Sequence, residues 1–382
     1  MRILFFNYEY PPLGGGGANA NSYLFREFAE QPDLIIDCIT SAWGEADERV
    51  ALAGNITLHR LAVGKKERHF WTQKEVLTYL MRAHFKAREL MKSHPYDLCH
   101  AFFGFPSGVP AWLRQKHMPY LVSLRGSDVP GFNPRFALQY VLLKPLFRKI
   151  WRQARFVVAN SVGLRSLAQA FETGVPMEVI PNGIDTEEFF PVEKSGGPTR
   201  QLLCVSRMVG RKGVQHLVDA MPAVLSSFPE ATLTLVGEGD LLEVLKQRCT
   251  ELLIADRVRF AGYVSHEELP ALYRKADLFV LPSFYEGMSN TVLEAMSCGL
   301  PVLATGEGGR EELFRGNALT VPFGDAPRLA AGIIELLQDS GRMVEMGRRS
   351  REIALEFSWA AVAGSYLDLY RAMVSAPESG EG

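Results

Sequence analysis

Short runs dense in Val, Ile, Leu and Phe recur along the chain, separated by longer stretches whose apolar residues have helical spacing. In the first half the runs fall at 2–6, 34–40, 56–61, 98–102, 120–125, 156–160 and 178–181. In the second half they fall at 201–206, 231–236, 258–261, 278–281, 301–305 and 318–322. Apolar positions follow one another instead of alternating, so both faces of each strand are covered and the intervening helices are the covers. The pattern predicts an α/β protein with two successive doubly wound parallel sheets. The break lies within 185–200, where Glu187, Glu188, Pro191, Glu193 and Lys194 lead into Ser195-Gly196-Gly197-Pro198. We therefore expect domains at 1–188 and 189–357. Residues 358–375 read as an amphipathic C-terminal helix starting at Ser358, and 376–382 as a polar, disordered tail.

Composition narrows this frame. A chain of 382 residues exceeds one ordinary core. Its hydrophobic fraction of 47% and charged fraction of 22% are those of a soluble globular protein. No apolar run approaches the roughly 18–20 residues that cross a bilayer. The N-terminal run stops at Glu9 and reads as a buried strand, not a signal peptide. Cysteines 38, 99, 204, 249 and 298 form no C-x-x-C pair, so buried thiols in a reducing cytoplasm are expected. Residues 1–185 hold 22 Lys+Arg against 16 Asp+Glu, a balance of +6; the rest holds 41 − 22 = 19 against 43 − 16 = 27, a balance of −8. A basic first half suits an anionic partner, but no dense basic run or nucleic-acid motif points to nucleic acid.

The richest segment runs from Phe284 through Pro301. Glu286 stands in a loop after the run 278–281, and Glu294 lies inside a short helix. Ser289 or Asn290 can start that helix, Gly299 can end it in the left-handed conformation, and Pro301 bars its continuation. Free N–H groups at a helix start favour phosphate, and carboxylates suit sugar hydroxyls, so the segment has the chemistry of a nucleotide-sugar site. Arg207 and Lys212, five residues apart on another strand-to-helix loop, can grip a pyrophosphate from two sides. Taken singly, each of these residues reads as an ordinary surface charge; the combination singles them out.

Glu-x7-Glu followed by Ala-Met-x-Cys-Gly-x-Pro-Val resembles the signature of family 4 retaining glycosyltransferases with the GT-B fold. Supporting segments occur in order: Pro11-Pro12-Leu13-Gly14-Gly15-Gly16-Gly17, Arg125-Gly126-Ser127-Asp128, Pro181-Asn182-Gly183-Ile184-Asp185, Ser206-Arg207 through Lys212-Gly213, and Val236-Gly237-Glu238-Gly239. The resemblance implies two Rossmann-like domains facing a central cleft, with the helix at 358–375 crossing back to the first. It implies that Arg207 and Lys212 hold the diphosphate and offset charge on the leaving nucleotide. Glu294 would bind the ribose hydroxyls, and Glu286 the transferred sugar. Backbone N–H groups of Gly287, Met288, Ser289 and Asn290 would meet sugar or phosphate. Gly237 would let the backbone approach the donor. Tyr263 and Val264 would face the base, although the same residues read equally well as a plain turn before the Ser265–Glu268 capping-box spacing. Gly14, Gly15, Gly16 and Gly17 would form a phosphate and acceptor loop with Asp128 and Asn182.

Arg125 departs from the pattern, since many relatives carry His there. Arginine cannot act as a base near neutral pH, which leaves charge stabilisation as its catalytic role. His100 is a second residue near the strand ends, more readily read as structural. Neither D-x-D nor metal-ligand spacing occurs, so no metal and no cofactor beyond the nucleotide-sugar substrate are expected. Residues 135–155 carry six cations and no acid beside an apolar face. They read either as a covering helix or as a basic face for the inner membrane surface. The expected activity is metal-independent hexosyl transfer, with retention, from a UDP-sugar (GDP-mannose is the second donor) to a glycolipid or polysaccharide precursor in cell-envelope synthesis. The rivals are a non-hydrolysing sugar-nucleotide epimerase and a catalytically silent scaffold.

Overall fold

A computed structural model describes residues 1–68, 70–133, 137–193, 200–284, 288–306 and 313–375. The polar tail expected at 376–382 lies outside the described residues. The chain forms two compact units, Met1–Gly183 with Trp359–Gly382, and Ile184–Ser358.

The first unit holds an eight-stranded sheet. Its strands are β1 (Arg2–Phe6), β2 (Ile35–Ala42), β3 (Glu48–Ala53), β4 (Ile56–Ala62), β5 (Leu98–Phe102), β6 (Tyr120–Leu124), β7 (Phe156–Ala159) and β8 (Met177–Val179). The order is β3-β4-β2-β1-β5-β6-β7-β8. All pairs are parallel except β3 with β4, which is antiparallel. The hydrophobic pattern misses β3 because this edge strand, Glu-Arg-Val-Ala-Leu-Ala, buries none of its residues fully. Alternation along β1 divides the unit into layers. Leu4 and Phe6 face helices α2 (Gln73–Ser93), α3 (Gly108–Trp112), α4 (Ala137–Arg152) and α5 (Val162–Phe171) through Tyr79, Ala111, Trp151 and Leu164. Ile3 and Phe5 face α1 (Gly16–Ala29) and the C-terminal helix (Trp359–Ser375) through Phe25, Phe28, Tyr366 and Tyr370.

The second unit is wholly parallel. Strands β9 (Gln201–Val205), β10 (Thr232–Val236), β11 (Val258–Gly262), β12 (Leu278–Leu281), β13 (Val302–Thr305) and β14 (Ala318–Val321) take the order β11-β10-β9-β12-β13-β14. Helices α6 (Val214–Ser227), α7 (Leu242–Glu251), α8 (Leu269–Lys275), α9 (Asn290–Ser297), α10 (Ala326–Gln338) and α11 (Ser340–Leu355) connect and cover it; the C-terminal helix is α12. Its two faces bury separate cores, one centred on Leu217, Leu233 and Ile333, the other on Tyr273, Phe279 and Leu293.

All five cysteines are buried free thiols. Among the described residues no helix is long and apolar enough to cross a membrane, and no His, Cys, Asp and Glu cluster could hold a metal.

Candidate active site

Doubly wound sheets take ligands beyond the carboxyl ends of the two strands where the winding reverses. In Ile184–Ser358 these are β9 and β12. Residues 206–213 leave β9 and are pinned by backbone bonds to the segment after β10: Ser206 N–H donates to Val236 O at 2.9 Å, Met208 N–H to Glu238 O at 2.8 Å, and Leu241 N–H to Met208 O at 2.9 Å. Lys212 N–H then bonds Val209 O at 2.9 Å, closing a 3₁₀ turn over Gly210–Lys212. This fixed backbone presents Arg207 as exposed and Lys212 as half-buried. Gly213 has φ +66°, and a Cβ there would fall on the Pro282 carbonyl. The loops after β9 and β12 thus touch backbone to backbone at a position only glycine fits. Phe284 N–H donates to Arg211 O at 2.9 Å and ties the same two loops again.

Helix α9 follows. Ser289 is its N-cap residue but makes no side-chain cap bond; its hydroxyl pairs with Thr291 Oγ1 at 3.2 Å. The Met288 side chain is buried in the core and anchors the helix start. Gly299, at φ +74°, ends the helix. Glu294 lies on its buried face, 6% exposed, and accepts the Tyr273 hydroxyl on Oε2 at 2.6 Å. Burial pushes its carboxyl up from the usual range, and the Tyr273 bond and the charge of His266 partly oppose that push.

In Met1–Gly183 the winding reverses between β1 and β5, and the chain fills the place with its own groups. Glu9 follows β1 and is buried. Burial pushes its carboxyl up to about 7; the Tyr8 side chain, the Gly15 N–H and the charge of Lys65 oppose without cancelling. Gly14, at φ +92°, makes room for it, since a Cβ there would lie 2.6 Å from Glu9 Cδ; a Cβ on Gly17 would meet the Phe103 ring and Glu9 Oε1. Rings of Tyr8, Trp71 and Phe103 surround this loop, with Tyr8 4.7 Å from Trp71 and 5.0 Å from Phe103. Phe103 itself holds φ +89°, a strained conformation for an aromatic residue at a ligand crevice.

Two family models match the chain. The one described as Glycosyltransferase Family 4 matches residues 14–188, and the one described as Glycosyl transferases group 1 matches residues 185–353. Mannosylfructose-phosphate synthase of Agrobacterium fabrum is 32% identical over 96% of this chain and 89% of its own. The chain belongs to glycosyltransferase family 4. A GDP-mannose-dependent alpha-(1-6)-phosphatidylinositol monomannoside mannosyltransferase of Mycobacterium tuberculosis is 34% identical over 53% of this chain. The match spans 58% of that relative's length. Sucrose-phosphate synthase from Thermosynechococcus elongatus superposes with a TM-score of 0.81 at 24% identity, covering 97% of this chain and 98% of its own. Anabaena HepE in complex with UDP and glucose gives 0.75 at 20% identity, covering 97% and 100%. At such identities the likeness carries the fold, which is GT-B.

The residues expected from the sequence of this glycosyltransferase are distributed as follows. Arg207, Lys212, Met288, Ser289, Asn290 and Glu294 stand on segments at the β9/β12 reversal, and Gly237 stands beside them. At φ +125°, a Cβ on Gly237 would strike Ser206 O, so this glycine serves loop-to-loop contact. Glu286 and Gly287 lie outside the described residues. Tyr263 is 71% exposed and Val264 packs on the core. The Ser265–Glu268 pair forms as spaced, but it closes a separate turn and α8 starts only at Leu269. The glycine segment is less of a loop than expected, because Gly16 and Gly17 already belong to α1, whose N-cap is Gly15.

In the same unit Asp128 turns inward. It is 3% exposed and accepts the N–H groups of Gly104, Arg125 and Gly126 at 2.6–2.9 Å, which commits both its oxygens to holding the loop. Arg125 stacks over Phe102 at 3.8 Å and donates to Asn182 Oδ1 at 3.1 Å. Burial lowers its pKa from the usual arginine value. His100 is structural: Nδ1 lies 2.6 Å from Tyr370 Oη and Nε2 2.7 Å from Ser123 Oγ, a buried network that ties α12 to β5 and β6. Burial and the Arg125 charge hold it well below the usual histidine range. Of the basic helix, Arg148 and Arg152 reach the buried Glu172 carboxylate at 3.1 and 3.0 Å, so two cations of the face that read either as cover or as membrane surface are engaged within the fold. Sequence reasoning passed over Glu9, Tyr273 and His266. The position of Glu9 directly before the Pro-Pro and glycine run was the available signal for the first; the partners of the other two are set by folding alone.

Proposed function

We propose that this glycosyltransferase moves a hexose from a nucleoside-diphosphate sugar to an acceptor hydroxyl with retention of anomeric configuration. The observation that carries the reading is the β9/β12 reversal. There two cations, Arg207 and Lys212, stand on a loop locked by backbone bonds, and the Glu294 carboxylate is held on the adjoining helix. The cations bind the diphosphate and stabilise the charge it gains as the bond from the anomeric carbon to the leaving oxygen breaks. Glu294 receives the ribose hydroxyls and Glu286 the transferred hexose. The new bond forms between the anomeric carbon and the acceptor oxygen on the same face, and the acceptor proton passes to the departing phosphate. Arg125 acts through its charge. The two cations supply what a metal would otherwise supply, so neither metal nor cofactor takes part, and EDTA leaves turnover unchanged.

Two donors enter the test. A UDP-sugar agrees with the complexes of HepE; GDP-mannose is favoured by the mannosyltransferase of M. tuberculosis, whose name states that dependence. Binding of UDP, GDP and their sugars is measured by calorimetry on wild type, Arg207→Ala and Lys212→Ala. Each substitution removes a charge-assisted contact worth about 1.5–3 kcal/mol, so nucleotide affinity falls roughly ten- to a hundredfold while the melting temperature holds. Unchanged affinity in both variants places the donor elsewhere.

The acceptor is a glycolipid or polysaccharide precursor reached from a cytoplasmic membrane face, and α2 supports the contact. Leu77, Met81 and Phe85, spaced four apart, are 66%, 58% and 61% exposed, and the exposed Lys74, Arg88 and Lys92 flank them on the same helix. Val141 and Leu142 of α4, which covers the same side of the sheet, are 70% exposed. Apolar residues between cations suit an anionic bilayer surface. Cosedimentation with phosphatidylglycerol vesicles that survives Leu77→Ser, Met81→Ser and Phe85→Ser together removes this part of the reading.

A further inference from the structure

Glu294 belongs to a chain of four polar side chains drawn from separate segments, in the order Tyr273, Glu294, His266 and Glu188. Tyr273 of α8 donates to its Oε2 at 2.6 Å. His266, on the turn after β11, places Nε2 at 3.9 Å from its Oε1 and Nδ1 at 3.2 Å from Glu188 Oε1. Glu188 is itself placed by Asp185, whose Oδ1 accepts the N–H groups of Glu187 and Glu188 at 3.1 and 3.0 Å. The fully buried Phe189 ring stands edge-on to both His266, at 5.2 Å, and Tyr273, at 5.8 Å. The Phe189 carbonyl accepts from Ser297 Oγ at 2.6 Å and from Arg351 at 2.9 Å, which fixes the platform against α9 and α11.

A buried carboxylate is costly unless donors and positive charge surround it. Here Tyr273 takes one oxygen. His266 stands at ion-pair distance from the other, close enough to orient it and far enough to leave its lone pairs for a ligand. The imidazole thus stands between two carboxylates, held to Glu188 through Nδ1 and facing Glu294 with Nε2.

We propose that His266 is a positioning residue for the donor: braced by Glu188 and Phe189, it sets the Glu294 carboxylate, jointly with Tyr273, in the orientation that receives the two ribose hydroxyls. The inference rests on the assignment of Glu294 to the ribose. It gives the turn after β11 a part in sugar recognition through a side chain, separate from any backbone contact of Tyr263 or Val264 with the base.

The test compares ligands as well as variants. The full chain is titrated with whichever of UDP and GDP binds more tightly and with the 2′,3′-dideoxy form of that nucleotide. Wild type is expected to prefer the ribonucleotide by roughly ten- to a hundredfold, the value of hydrogen bonds to a charged group. His266→Ala should lose about five- to tenfold in affinity for the ribonucleotide and nothing for the dideoxy form. His266→Gln, which keeps one donor toward Glu294, should recover part of the loss. Thermal melts confirm that each variant is folded. Equal weakening toward both ligands, or an unchanged preference, overturns the proposal. Glu294→Ala separates the two layers. If it abolishes the preference while His266→Ala leaves the preference at its wild-type value, the ribose assignment stands and the role of His266 falls. If Glu294→Ala leaves the preference intact, the ribose assignment itself is wrong.

Discussion

In Met1–Gly183 the crevice beyond β1 and β5 is occupied by the protein's own side chains, whereas in Ile184–Ser358 the crevice beyond β9 and β12 is shaped by backbone laid on backbone. Glu9 sits under the glycine segment of the first unit, Asp128 draws three N–H groups to itself, and Arg125 lies on Phe102. In the second unit Gly213 and Gly237 bring loops into main-chain contact, and the charged groups Arg207 and Lys212 project from the result. Two sheets with the same winding rule therefore prepare different surfaces. Buried carboxylates behind a glycine segment disfavour a phosphate and suit a neutral polyol. A rigid loop bearing two cations suits a diphosphate, because little ordering remains to be done on binding.

The largest effect expected from this contrast separates two glycines. Gly213→Ala combines a left-handed backbone with a clash against the Pro282 carbonyl, which cannot move without moving β12. It should destabilise the protein by about 3 kcal/mol and abolish nucleotide binding. Gly14→Ala shares the positive φ but meets mainly a side chain, Glu9, so it should cost only about 1–2 kcal/mol. Urea denaturation of both variants checks the order, and a greater loss at Gly14 breaks the comparison.

The next effect depends on pH. Folded Glu9 keeps its proton to about 7, while an unperturbed carboxyl releases it near 4.5. Between those values the folded state binds more protons than the unfolded one, so stability from this group falls as pH rises and levels off above about 7. Glu9→Gln should leave stability nearly unchanged at pH 4.5 and raise it by as much as about 3 kcal/mol at pH 8. Melting curves of both proteins across this range decide; a gain that is largest at low pH reverses the sign and refutes the burial of an uncompensated carboxyl.

The smallest effect sharpens the contrast between cations. Arg125→Ala removes a ring contact and a hydrogen bond inside the fold and should cost about 1–2 kcal/mol of stability, with Arg125→Lys recovering part. Arg207→Ala should change stability by no more than about 0.5 kcal/mol. If the two variants melt alike, Arg125 is not held as the geometry describes.

Much of this was legible beforehand, and the reasons are local. Thirteen apolar runs and the helices between them imply doubly wound sheets because a strand covered on both faces must be apolar throughout. Gly299 and Pro301 mark the end of α9 because backbone conformation there is a property of single residues. β3 escaped because an edge strand that buries little carries no hydrophobic signature. The same limit applies to charge. The sequence identifies Arg125, Asp128, Arg148 and Arg152 as charged, yet only the fold gives Asp128 three backbone donors, sets Arg125 on a ring, and turns Arg148 and Arg152 toward Glu172. A charge's role is fixed by what lies within a few ångströms of it, and those neighbours come from remote segments. The order of motifs and the run of strands thus determined the family and the fold. Tertiary structure alone decided that Asp128, Arg148 and Arg152 are turned onto the protein's own groups, and that Arg207, Lys212 and Glu294 come together at the β9/β12 reversal.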